Sequence, residues 1–198
     1  MAPLTRSQTP GDFIKLLRTG RRHNNHTYTE GLNVCPQPWD DGDCTPGGFY
    51  VCSLTDIFLW IVLYPDITEV AWVKVPADAQ MVRFVSKVKA SKLVITRFIP
   101  VADALSLARH AGADIHAGGD FALCLASSRG YTEIVRLLLE AGADIHASND
   151  YPLRIATMDN HIECVRLLLK AGAGVDIAFR IATTCGHNAC ARLIQSYM

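Results

Sequence analysis

The chain has 198 residues, of which 49% are apolar and only 19% charged, so it can bury a core and is too apolar for wholesale disorder. Its 19 basic and 19 acidic side chains cancel, which removes the usual mark of a dedicated nucleic-acid binder. The greasiest run, Ile57 to Tyr64, is far shorter than the roughly 20 apolar residues a membrane span requires, so no membrane association is expected. The opening residues Met1 to Arg6 lack the apolar centre of a signal peptide, and seven cysteines without a CxxC pair fit a reducing compartment. The expectation is a cytoplasmic protein.

Residues 1–24 read as a flexible basic segment, with Arg18, Arg21 and Arg22 close together and Asp12 opposing them. Within it, Asp12 to Arg18 has the composition for one or two helical turns. Residues 25–98 read as a small α+β domain. Cys35 to Gly48 is dense in Pro, Gly and Asp and predicts a loop; Phe49 to Cys52 predicts a short strand. Thr55 or Asp56 can cap a helix through Ile57 to Leu63 that Pro65 halts. Thr68 to Val75, Gln80 to Val85 and Leu93 to Phe98 read as further strands.

Self-similarity organises residues 99–198. Ala111-Gly-Ala-Asp-Ile-His-Ala117 recurs 30 residues later as Ala141-Gly-Ala-Asp-Ile-His-Ala147, and Glu133 to Glu140 falls on Glu163 to Lys170. A third, eroded copy begins at Ala171-Gly-Ala, four residues shorter, with Arg180-Ile-Ala-Thr183 answering Arg154-Ile-Ala-Thr157. The units are a half repeat at 101–117, repeats at 118–147 and 148–174, and a degenerate capping repeat at 175–198. Ile134, Val135, Leu137 and Leu138 share one helical face, and Gly142 can end that helix in a left-handed turn. A short helix from Phe121 to Ser128 precedes it, with small Ala126 and Ser127 where paired helices approach. Such a pair cannot bury its apolar face alone, so copies must stack.

These repeats resemble an ankyrin array, on the residues GY-TEIV-RLLL-EAGADIHA and H-IECV-RLLL-KAGA. The resemblance departs from the family in period, 30 residues against the usual 33, and in holding Cys124, Arg154 and Arg180 where the Thr-Pro-Leu-His turn has histidine. A 30-residue period with an Asp-Tyr-x-Leu-Arg-x-Ala start is similar to the ankyrin proteins of giant DNA viruses of amoebae. Residues 25–98 are similar to a domain preceding such repeats, on Gly31-Leu-Asn33 and Pro46-Gly-Gly-x-Tyr50. The implied fold is a small α+β N-terminal domain followed by a short all-α ankyrin-repeat solenoid. The implied site is the hairpin tips and the exposed end of the inner helices: Gly118, Gly119, Ser128, Arg129, Ser148, Asn149, Met158, Asp159, Thr184 and Cys185. These are mostly small and polar, with no aromatic anchor among them.

The implied function is protein–protein interaction without catalysis, an adaptor binding a protein partner such as a host protein. Two alternatives stand beside it: a structural virion or assembly component contacting through the N-terminal domain, and an ADP-ribosyltransferase-like or nucleotide-binding N-terminal domain. The last would use His26, Tyr28, Glu30, Tyr50 and Glu69, yet no glutamate lies between Glu69 and Glu133 to serve as a late catalytic carboxylate. Zinc at Cys35, Cys44 and Cys52 with His23 or His26 is disfavoured by gaps of nine and eight residues between the cysteines. No metal, cofactor or nucleic acid is expected. Arg154 and Arg180 read as helix-start residues pairing with a neighbouring repeat's carboxylate or carbonyl. The chain's end at Met198 leaves no room for the F-box-like tail of poxvirus ankyrin proteins, so ubiquitin-ligase recruitment by that route is not expected.

Overall fold

The computed structural model describes residues 12–23, 25–43, 47–64 and 66–198. The chain divides into two compact units: residues up to Trp60 with Asp66–Ala113, and Ile61–Pro65 with Asp114–Met198. Arg6, Cys44 and Pro65, which carried parts of the sequence reading, lie outside the described residues.

The first unit is built on strands β1 (Asp12–Arg18), β2 (Arg22–His23), β3 (His26–Thr27), β4 (Gly31–Val34), β5 (Phe49–Val51), β6 (Ile67–Lys74), β7 (Met81–Arg83), β8 (Val88–Ala90) and β9 (Lys92–Pro100). They form a six-stranded sheet in the order β3-β2-β1-β6-β9-β4 and a three-stranded sheet in the order β5-β8-β7. All pairings are antiparallel. Phe13, Leu17, Tyr28, Phe49, Val51, Ala71, Val73, Val88, Ala90, Leu93 and Ile95 make one core cluster.

The helical turns expected for Asp12 to Arg18 are a strand instead, with Phe13 opposite Val73 and Leu16 opposite Val70. Every residue from Phe13 to Leu17 is buried, so both faces of β1 are covered. A strand covered on both faces shows a continuous apolar run rather than alternation, and that run is indistinguishable from a short helix in sequence. The basic segment is likewise tied down from residue 12 onward. Arg18 pairs with Asp66 at 3.1 Å, and Arg21 pairs with Glu69 at 3.3 Å while its guanidinium lies 3.8 Å from the Phe98 ring centre.

Helix α1 (Ile57–Ile61) is shorter than expected and follows a 3-10 turn at Leu54–Asp56. Its cap is Ser53, whose hydroxyl accepts the Thr55 N–H, in place of Thr55 or Asp56. The Cys35 to Gly48 region is non-regular where described. Lys89 donates to the Gly42 carbonyl at 3.1 Å, and the Tyr50 hydroxyl donates to the same oxygen at 3.3 Å. A side chain at Gly48 would meet Lys89 carbons at 2.7 and 2.8 Å, so the chain passes there only as glycine. Helix α2 (Val101–His110) belongs to this unit and packs Val101, Ala104, Leu105 and Ala108 inward, against β6, β9 and the 3-10 turn.

Past residue 113 the second unit is helical: α3 (Ala117–Ser128), α4 (Thr132–Glu140), α5 (Ala147–Met158), α6 (Ile162–Lys170), α7 (Val175–Thr184) and α8 (Asn188–Gln195). Each odd helix packs on the even helix after it; α3 also packs on α5 and α5 on α7. Ile134, Val135, Leu137 and Leu138 are buried, as their spacing predicts, and Cys164, Val165, Leu168 and Leu169 repeat the pattern. Gly142 takes φ 93 and Gly172 φ 101, with the Ala143 N–H reaching the Leu138 carbonyl, so the helices end as expected.

Candidate partner-binding face

Two of the inner helices are entered through three consecutive left-handed residues. Gly118, Gly119 and Asp120 have φ of 65, 69 and 58, and Ser148, Asn149 and Asp150 have φ of 50, 62 and 55. Regular helix therefore starts at Phe121 and Tyr151, and Pro152 falls in a first turn, where its missing N–H does no harm.

The aspartates that close these turns bind onward along the chain. Asp120 accepts the Asp144 N–H at 2.8 Å, and Asp150 accepts the Gly174 N–H at 2.9 Å. Each also meets the histidine four residues back, His116 at 3.1 Å and His146 at 2.8 Å. A second link recurs at the other end of the inner helices. The His161 Nε2 lies 2.9 Å from the Ser128 carbonyl, and the His187 Nε2 lies 3.0 Å from the Met158 carbonyl. Each left-handed turn is thus tied by its carboxylate to the loop that leads to the next inner helix, and each repeat to the next by an imidazole.

These links position the residues singled out in sequence. Gly118, Gly119, Ser148 and Asn149 are exposed on the left-handed turns. Ser128, Met158 and Thr184 occupy the last turn of α3, α5 and α7, and Arg129, Asp159 and Cys185 cap the same helices. All of these are exposed except the half-buried Ser128, whose hydroxyl donates to Asp159 at 3.2 Å. Arg129 is engaged, donating to the Val62 carbonyl at 3.2 Å.

Sequence reading missed the apolar row on the same helices. Phe121, Tyr151 and Ile177 hold one repeat position and are 50%, 40% and 39% exposed; Met158 is 49% exposed. The repeat offsets carried the signal, because three large apolar residues recur at the first exposed turn of each inner helix. The expected neighbour pairing of Arg154 does not occur either. Its Nη1 reaches the Asn149 carbonyl of its own turn at 3.4 Å, and its buried Nε has no partner.

Of the residues weighed for catalysis, His26 and Tyr28 pack as aromatics. The His26 and Tyr28 rings are 4.5 Å apart, Tyr28 and Phe49 5.3 Å, and burial pushes the Tyr28 phenol up. Glu69 is occupied by Arg21. Among the described residues no three His, Cys, Asp or Glu side chains are grouped to hold a metal; Cys44 is not among them. Burial pushes Cys52 up to about 12 and the thiols of Cys124, Cys164 and Cys190 upward as well, which makes them poor nucleophiles. No described helix is long and apolar enough to cross a membrane.

Stacked helix pairs with this repeat define a recognisable class. Residues 98–181 match the family described as ankyrin repeats, in three copies, so the chain carries ankyrin repeats. It is similar to an ankyrin repeat protein of Acanthamoeba polyphaga mimivirus, 28% identical over 136 residues that cover 66% of this chain. The match spans 41% of that relative's length.

Proposed function

We propose that this chain is a protein–protein interaction module or adaptor without catalysis, a short ankyrin solenoid that holds a partner on its inner-helix face. The carrying observation is the exposed row of Phe121, Tyr151 and Ile177 beside Met158, on helices locked to one another by the aspartate and histidine links. Apolar side chains held rigidly at a surface lose little entropy on binding and are the usual anchors of an interface. Gly118, Gly119, Ser128, Arg129, Ser148, Asn149, Asp159, Thr184 and Cys185 would form the surrounding polar contacts. The similarity to a mimivirus protein supports a host protein as partner and the host cytoplasm as the place of action.

A photo-crosslinking amino acid placed at Met158, Thr184 or Arg166 in host cells tests this. Met158 and Thr184 lie on the inner helices, whereas Arg166 lies on α6. Discrete adducts from the first two and none from Arg166 are expected. Adducts from all three alike, or from none, reject the reading. The assembly-component reading draws on Leu32 and Val34, which are 60% and 52% exposed on edge strand β4. Exposed apolar edge strands recruit further strands. Adducts from a crosslinker placed at Leu32, with none from Met158 or Thr184, would favour it.

A further inference from the structure

We infer that the inner-helix face docks an acidic, extended segment of a partner protein, with carboxylates set against Arg154 and Arg180; this rests on the partner-binding reading above. The two arginines hold one repeat position on α5 and α7, which pack together. Arg154 spends one N–H on a long bond to a backbone carbonyl and keeps its buried Nε unpartnered. Arg180 is exposed, and Asp176, one turn before it, does not pair with it. Among the described residues neither arginine has an ion pair, whereas the arginines of α4 and α6 do. Arg136 pairs with Glu133 and Glu140, and Arg166 pairs with Glu163 at 3.2 Å. Arg192 on α8 has no ion pair either, so what marks the inner face is the repeat position that Arg154 and Arg180 share.

A guanidinium with a desolvated, unsatisfied N–H gains most from a planar carboxylate that can take two donors at once. Phe121, Tyr151 and Ile177 flank the arginine row on one side and Met158 on the other, so the same segment must carry apolar side chains beside its acids. Packed helices stand about 8–10 Å apart. A polyproline II segment rises about 9 Å over three residues and returns to the same face. Carboxylates three residues apart thus meet arginines on successive inner helices. Exposed Asp159 and Asp176 stand on the same helices and would repel a continuous polyanion, which favours discrete carboxylates over a nucleic-acid backbone.

Fluorescence anisotropy of the full chain with a labelled peptide of repeated Leu-Glu-Pro triplets tests this, against the same peptide with Gln for Glu. The glutamate peptide is expected to bind at least about tenfold more tightly, with affinity falling as salt is added. Arg154→Gln with Arg180→Gln should erase that preference, and Arg166→Gln should leave it intact. Because Arg180 is exposed, Arg180→Gln alone gives a variant without a buried change, and it should lose several-fold in affinity. The proposal is overturned if the glutamate peptide fails to bind, if the glutamine peptide binds equally, or if Arg180→Gln changes nothing. It is also overturned if a short oligothymidylate binds as well as the glutamate peptide. Crosslinking at Met158 that survives both arginine replacements would sink the acidic-segment proposal alone. Loss of face-specific crosslinking in the unaltered chain would sink the partner-binding reading as well.

Discussion

Lys15 sits in the covered strand β1 with its ammonium donating to the Tyr50 carbonyl at 2.8 Å and lying 5.1 Å from the Tyr28 ring centre. Burial pulls it down from 10.5 to about 8. Between those values the unfolded chain binds more protons than the folded one, so stability rises with pH across the window. Lys15→Met removes this dependence. Relative to that variant, the unaltered chain should gain on the order of 3 kcal/mol between pH 8 and 10.5, read from urea midpoints at fixed pH. Nearby His23 is pulled from 6.5 to about 3, first by burial and then by the charges of Lys15 and Arg18. Its neutral form is the folded one, so stability falls as pH drops from 6.5 towards 3. His23→Gln should move the acid-unfolding midpoint to lower pH. At Gly130 the constraint is steric: φ is +68, and a Cβ would lie 2.5 Å from His161 Nδ1. Gly130→Ala should cost about 2 kcal/mol in denaturant unfolding, and His161→Ala in the same chain should return part of it.

Elements in this chain are set as much by what crosses between them as by local propensity. The left-handed turn at Ser148, Asn149 and Asp150 is held by one carboxylate oxygen that receives both the Gly174 N–H and His146. Asparagine tolerates that backbone and retains one oxygen acceptor, while alanine does neither. Asp150→Asn should therefore cost under about 1 kcal/mol and Asp150→Ala about 2, compared by chemical unfolding. The helices themselves were legible because Ile134 to Leu138 and Cys164 to Leu169 keep a helical period. So was the end of each outer helix, at Gly142 and Gly172. The turn geometry was not, since Ser148 and Asn149 give no local sign of three left-handed residues in a row. Strand β1 was missed because Phe13 to Leu17 is buried on both sides, and β8 because Val88 to Ala90 is too short to show a period. At the face, the small polar positions were found by the resemblance. The apolar row of Phe121, Tyr151 and Ile177 was hidden because exposure, unlike period, is settled only by what the helix packs against.

At the scale of the whole molecule, sequence similarity and packing divide the chain at different places. The ankyrin match begins at residue 98, so it takes in α2, yet α2 buries Val101, Ala104, Leu105 and Ala108 within the first unit, which runs to Ala113. Apolar burial is roughly additive in area, and four such side chains removed from β6, β9 and the 3-10 turn amount to several kcal/mol. A first unit cut at residue 100, where β9 ends, should therefore lose a substantial part of its stability, while one cut at 113 keeps it. Expressing residues 1–100 and 1–113 and comparing their thermal unfolding by circular dichroism decides the matter. The longer fragment should melt cooperatively, and the shorter should melt at least about 10 °C lower or bind a hydrophobic dye. Equal melting of the two would mean that α2 adds nothing to the sheet it covers, and would return the boundary to where the repeats begin.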